Sequence, residues 1–163
     1  MPAWITDHLR SRQVSRVIYG SIIGLALIVV FEDHPPKPGV AIASLLGTAV
    51  AVGLAELYSE LVGAELRNRE RITRAGLAKE LDNVVAVAFG VAFPAVFFFL
   101  SAIGVLKVDT AIEISKWTGL GLIVFYGFVG ARVTGLTGHR ALLEGLAVGA
   151  VAAILIALKA IVH

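Results

Sequence analysis

GVAIASLLGTAVAVGLAELYSELVG, from Gly39 to Gly63, is the stretch whose reading decides the fold. Its only charged residues are Glu56 and Glu60, both close to its far end. A helix rises about 1.5 Å per residue, so a run of this length crosses the roughly 30 Å hydrocarbon core of a bilayer. Four other runs share its character: about Val14 to Phe31, Val84 to Leu106, Thr110 to Val133 and Ala141 to Val162. The first is thin, because Arg16 and Glu32 bracket its uncharged part, and it spans if Arg16 snorkels to the headgroups. The chain reads as an all-α integral membrane protein: one domain over residues 1–163, with five transmembrane helices and short loops.

Composition agrees. The 163 residues are 58% hydrophobic and 16% charged, with a mean hydropathy of +0.87. Soluble domains carry about 45–50% apolar and about 25% charged residues. Cysteine is absent, which excludes disulfide scaffolds, zinc-thiolate sites, iron–sulfur clusters and thiol catalysis. A net charge of +2, scattered along the chain, gives no footprint for nucleic acid. No span contains histidine, and the paired groups that membrane proteases and transferases use are missing, so no enzyme activity is expected.

Basic residues set the expected orientation. Arg10, Arg12 and Arg16 precede the first span. Arg67, Arg69, Arg71, Arg74 and Lys79 lie between the second and third, and Arg132 and Arg140 between the fourth and fifth. Lys37, Lys107, Lys116 and Lys159 lie on the other side. The bias places the N-terminus in the cytoplasm and the C-terminus outside, as an odd number of spans requires. No small-residue cleavage site precedes Glu32-Asp33-His34, so the first span is expected to be a retained anchor. Trp4, Ile5 and Leu9 suit either a short interfacial helix or a frayed tail. Residues 64–81 form a short basic cytoplasmic connection, in which span two continues as helix and Thr73 caps a second one. The lack of a large loop or targeting segment suits a bacterial inner membrane.

Ionisable groups inside a span cost at least about 2.5–3.5 kcal/mol, so each is a candidate site. Glu56 and Glu60 are one turn apart and share a helix face. Glu144 of span five is expected at the same depth, with Tyr58, Ser59 and Tyr19 close by. Carboxylates with hydroxyls suit Mg²⁺, Ca²⁺, Mn²⁺ or Fe²⁺, and close carboxylates also suit proton exchange. Each acid has a plainer reading. Glu60 is near enough to the inner leaflet to meet water, and Glu144 has Arg140 and Arg132 within reach. Glu56 has no basic neighbour on its own helix and is the hardest to explain structurally. At the outer side Glu113 and Lys116 are spaced for an ion pair beside an anchoring Trp117. Glu32, Asp33 and His34 form either an acidic mouth or a solvated loop.

Small residues mark close packing: Ala43, Gly47, Ala51 and Ala55 on span two, with Gly20/Gly24 and Gly145/Gly149 elsewhere. They serve either helix packing within the chain or a dimer interface. Pro94 strips the Gly90 carbonyl of its helical donor, so Gly90 and Pro94 are the expected hinge of span three.

These residues resemble the vacuolar iron transporter family. Ala51-Val52-Gly53-Leu54-Ala55-Glu56-Leu57-Tyr58-Ser59 is similar to that family's small-residue run ending in glycine-glutamate-tyrosine and serine. Phe89-Gly90-Val91-Ala92-Phe93-Pro94 resembles its third helix, and Ala141 to Gly149 its glycine-rich last helix. The family's aspartate-glycine pair in the first helix reads Tyr19-Gly20 here, its glutamate-rich insert is reduced to residues 64–81, and its path methionine has no counterpart.

The resemblance implies five spans with the same orientation and a homodimer with a path between protomers. On this reading the chain exports a divalent cation of the Fe or Mn type from the cytosol, with or without exchange for protons, and has no permanently bound cofactor. Glu56 is then the main ligand or proton carrier, Glu60 a ligand on the cytoplasmic side and Glu144 an auxiliary acid. The alternative is a non-transporting membrane scaffold or accessory subunit of the same fold.

Overall fold

The computed structural model of the chain describes residues 11–68 and 74–162, and it is helical almost throughout. Among the described residues six helices follow one another: α1 Ser11–Asp33, α2 Pro38–Asn68, α3 Arg74–Ala92, α4 Ala95–Ala102, α5 Val108–Val133 and α6 Gly138–Val162. Four of them contain stretches long and apolar enough to cross a membrane: Gln13–Asp33, Pro38–Gly63, Val108–Val133 and Gly138–Leu158. The fifth candidate is a broken one, Glu80–Ala92 continued by Ala95–Ala102 at an angle of 49°. The segment around Trp4, Ile5 and Leu9, read as interfacial helix or frayed tail, and the Thr73 cap lie outside the described residues.

The helix ends follow from local chemistry. Pro38 opens α2, where a first-turn residue needs no N–H partner, and the N–H groups of Val40 and Ala41 donate to Lys37 O. At 31 residues α2 is about 46 Å long, more than a bilayer core requires, so the helix continues past the apolar run as the sequence suggests. Gly104 and Gly135 stop α4 and α5 with φ of 82° and 88°, a left-handed backbone that glycine adopts without steric penalty. The break in span three lies at the expected hinge. Pro94 offers no N–H to Gly90 O, and beyond it Val96 N–H donates to Phe93 O and Phe97 N–H to Pro94 O.

Packing is built on backbone contact between glycines. α1 lies along α3 and α5, and α5 lies along α6. Gly20 and Gly24 of α1 press on the backbone of α3 at Val87, Gly90 and Val91, while Gly90 presses on Val17 and Ser21. Gly145 of α6 meets Val124 O and the Phe128 backbone N of α5. Lipid chains are as apolar as leucine, so close approach of this kind replaces the hydrophobic drive of a soluble core.

A separate apolar cluster joins four helices at the C-terminal end of α1: Ile28 and Phe31 of α1, Ala41 and Leu45 of α2, Ala95 and Phe98 of α4, Ala111 and Ile112 of α5. The Phe31 and Phe98 rings meet edge to face at 5.9 Å. On α2 the buried edge is Ala41, Leu45, Ala49 and Gly53, whereas Ala43, Gly47, Ala51 and Ala55 are exposed. Among the described residues that small-residue stripe is left on the surface.

Candidate functional site

α1 and α2 barely touch along their length, yet they are tied together at one end by charge. Arg16, one turn into α1, directs its guanidinium at the inward face of α2. Its Nη1 donates to Glu56 Oε1, and its Nη2 donates to Glu60 Oε1 at 2.7 Å. The one-turn spacing of the acids is what lets a single forked guanidinium serve both. The Arg16 side chain is 12% exposed, Glu56 25% and Glu60 28%. Counted as ionised groups, the triad carries one excess negative charge.

This arrangement gives Arg16 partners that its own helix does not reveal. The side chain reaches acids some forty residues away in sequence. A guanidinium in contact with two carboxylates loses far less on leaving water than one facing hydrocarbon alone. Glu56 correspondingly has its cationic partner on another helix, where inspection of its own turn could not find it.

The other predicted groups are placed differently. Glu144 is exposed on the surface of α6, and among the described residues it has no ion pair. Arg132, one of its expected partners, instead donates to Leu136 O at 2.9 Å, bracing the end of α5. Among the described residues no three His, Asp or Glu side chains gather into a group that could hold a metal ion. The structure thus joins Glu56 with Glu60 and leaves Glu144 apart. Tyr19 and Tyr58 are exposed as well, at 50% and 72%.

Two residues that the sequence reading passed over lie nearby. Gly53 of α2 approaches Val84 of α3, so the antiparallel run brings Glu56 level with the start of the apolar part of α3. There Asn83, only 4% exposed, donates to Glu80 at 2.8 Å. Glu80 lies within α3. The signal was an asparagine bordering an apolar run, three residues after an acid.

The opposite end carries a second charged cluster. Lys116 of α5 donates to Glu32 of α1 and, at 2.9 Å, to Glu113 on its own helix. The Trp117 indole donates to Glu113 at 3.0 Å, and Lys116 Nζ stands 5.8 Å from the Trp117 ring. The expected Glu113–Lys116 pair is present, and Glu32 of the expected acidic mouth is engaged with it. Arg16 and Glu32 are sixteen residues apart on α1, about 24 Å along the axis, so the two clusters bracket the bundle.

Apolar crevices complete the surface. One of about 610 Å³ lies between α2 and α3, bordered by Leu46, Val50, Gly53, Val84 and Phe89. Another of about 520 Å³ lies between α5 and α6, beside Trp117, Val124, Phe128 and Leu142. Neither is built to bind a polar ligand. No family model matches this chain, and neither does any curated protein or solved structure.

Proposed function

We propose that this protein is a small helical membrane transporter that moves a divalent cation, of the Fe or Mn type, out of the cytosol, with or without exchange for protons. The observation that carries the reading is the Arg16–Glu56–Glu60 triad, in which two carboxylates one helical turn apart share a single cation that the protein itself supplies. Arg16 is a tethered stand-in. It satisfies the acids with one positive charge and leaves one negative charge over. A divalent ion taking its place balances both carboxylates, and oxygen donors are the ligands that hard and borderline cations prefer.

In this reading Glu56 is the main ligand or proton carrier, and Glu60 is the ligand nearer the cytosol. Glu144 is an auxiliary acid met elsewhere on the path, and the hinge at Gly90 and Pro94 lets span three adjust. The resemblance of spans two, three and five to the vacuolar iron transporters supports the substrate class. The exposed stripe of Ala43, Gly47, Ala51 and Ala55 supports a homodimer. A bacterial inner membrane suits the reading.

A specific observation favours the second reading, a non-transporting scaffold of the same fold. Both acids are already paired with Arg16, and Glu144 does not join them. The test separates the two. Purified protein in liposomes is expected to carry Mn²⁺ or Fe²⁺ down a gradient, and Glu56→Gln is expected to reduce the flux at least tenfold. Undiminished flux in the variant removes Glu56 from the path. An absence of flux for every divalent ion tried, in protein that folds normally, leaves the scaffold.

A further inference from the structure

The crevice between α5 and α6 has the length of a lipid tail. It follows α5 from Trp117 through Gly121 and Val124 to Phe128, and Leu142 borders it on α6. Eleven residues separate Trp117 from Phe128, about 16 Å along the helix axis. One leaflet fills about half of the roughly 30 Å hydrocarbon core, so an acyl chain and the crevice match in length. Gly121 makes the space: a Cβ there would meet nothing within 4 Å, and the surface of α5 is notched at that turn. Near Phe128 the two helices close up, since a Cβ on Gly127 would stand 3.0 Å from Gly145 Cα and one on Gly145 2.9 Å from Phe128 N. Among the described residues the walls carry no charged side chain.

The Trp117 end of the crevice is polar. The Trp117 indole N–H donates to Glu113 Oε2 at 3.0 Å, and Lys116 Nζ donates to Glu113 Oε1 at 2.9 Å. Among the described residues each Glu113 oxygen thus accepts one bond, whereas an ionised carboxylate has about four lone-pair sites to offer. The Glu113 side chain is 56% exposed, so it can still accept from outside the bundle. Trp117 is 62% exposed, and an indole ring attracts a cation over its face. Lys116 contributes differently: its side chain is 12% exposed and its ammonium is committed to Glu32 and Glu113.

We propose that this crevice binds one phospholipid whose headgroup carries an ammonium. An acyl chain lies along Gly121 and Val124 and supplies the contacts that α5 lacks at its notch, while the ammonium meets Glu113 and the Trp117 ring. Charge complementarity selects the headgroup, because an exposed carboxylate attracts an ammonium and repels a headgroup whose only charge is a phosphate. A primary ammonium also donates hydrogen bonds to Glu113, which a quaternary one cannot. The order of binding is therefore phosphatidylethanolamine, then phosphatidylcholine, then phosphatidylglycerol. The site requires that these helices lie in a bilayer and is independent of any transported ion.

Native mass spectrometry tests it on protein in mild detergent, incubated with each of the three lipids carrying identical chains; one spectrum reads both the lipids retained and the oligomeric state. One phosphatidylethanolamine per chain is expected to stay bound, favoured over phosphatidylglycerol by about fivefold, the upper end for an exposed ion pair. Glu113→Gln should abolish that preference. Gly121→Leu places a side chain in the crevice and should lower retention of all three lipids. If Gly121→Leu does not fold, Leu142→Trp, at a border position 49% exposed, makes the same test. Equal retention of the ethanolamine and glycerol lipids by the parent chain overturns the headgroup assignment and with it the proposal. Retention unchanged by filling the crevice places the lipid elsewhere and also overturns it. A dimer that falls apart when the crevice is filled assigns this face to a second copy of the chain instead.

Discussion

Replacing Gly90 by alanine tests whether backbone contact between α1 and α3 organises this bundle. A Cβ at position 90 would stand 2.5 Å from Val17 O, 2.6 Å from Ser21 N and 2.9 Å from Gly20 C. Ordinary contacts of a Cβ begin near 3.4 Å, and all three neighbours are backbone atoms of α1 that no rotamer change can move. The two helices must therefore part by about 1 Å along the crossing, and a gap of that size forfeits about a quarter to a half of each contact's attraction.

Overpacking of a close-packed interior costs about 1–3 kcal/mol, and alanine returns up to about 1 kcal/mol through its better helix propensity. The net expectation is a loss of about 1–2 kcal/mol. Gly121→Ala is the control, because a Cβ there meets nothing within 4 Å. Thermal unfolding of both variants in the same mild detergent, followed by intrinsic tryptophan fluorescence, makes the comparison. Gly90→Ala should unfold several degrees below the parent chain, and Gly121→Ala at or slightly above it. If the two variants unfold together, the glycine crossing is not what holds α1 on α3.

Two further outcomes follow from the helix break and from the second charged cluster. Pro94→Ala restores a backbone donor for Gly90 O, so the 49° bend should relax, read as a longer distance between spin labels on α3 and α4. An unchanged distance would assign the bend to packing around Phe98 instead. Lys116→Met removes the shared cation of Glu32 and Glu113, whereas Glu113→Gln removes only a partner whose side chain is 56% exposed. The lysine change should therefore be the more destabilising in thermal unfolding, with the glutamate change costing under about 1 kcal/mol. The reverse order would mean that Glu32 does not depend on Lys116.

The helices were legible in the sequence because each is fixed by a property of its own residues. An apolar run between charges must be long enough to cross, and its ends fall where Pro38, Gly104 and Gly135 supply the right backbone. The bend at Pro94 was legible for the same reason, since a missing N–H is a local fact. Which way a helix faces is not local. Glu144 could be placed at a depth from the sequence but not on a side, and rotation of α6 about its axis put it on the exposed surface. The stripe of Ala43, Gly47, Ala51 and Ala55 had the spacing of a packing face, yet the neighbouring Ala41, Leu45, Ala49 and Gly53 took that role. The two sets differ by a rotation too small for composition to decide.

The Arg16–Glu56–Glu60 triad lies between these cases, and its logic was available in the residues. Consecutive spans run antiparallel, so the start of the first and the end of the second reach the same side of the bundle. Arg16 is near one of those ends, and Glu56 and Glu60 are near the other. A cation and two anions partly withdrawn from water at one depth are each costly when left apart, and much of that cost is recovered when they meet. The bridge across α1 and α2 follows from charge and depth together, even though no spacing along either helix reveals it. The same argument limits what Glu56 can be. It is one half of a compensated contact, so any role it has in moving a cation must begin with displacing Arg16, and a variant at position 16 should alter that role as strongly as one at position 56.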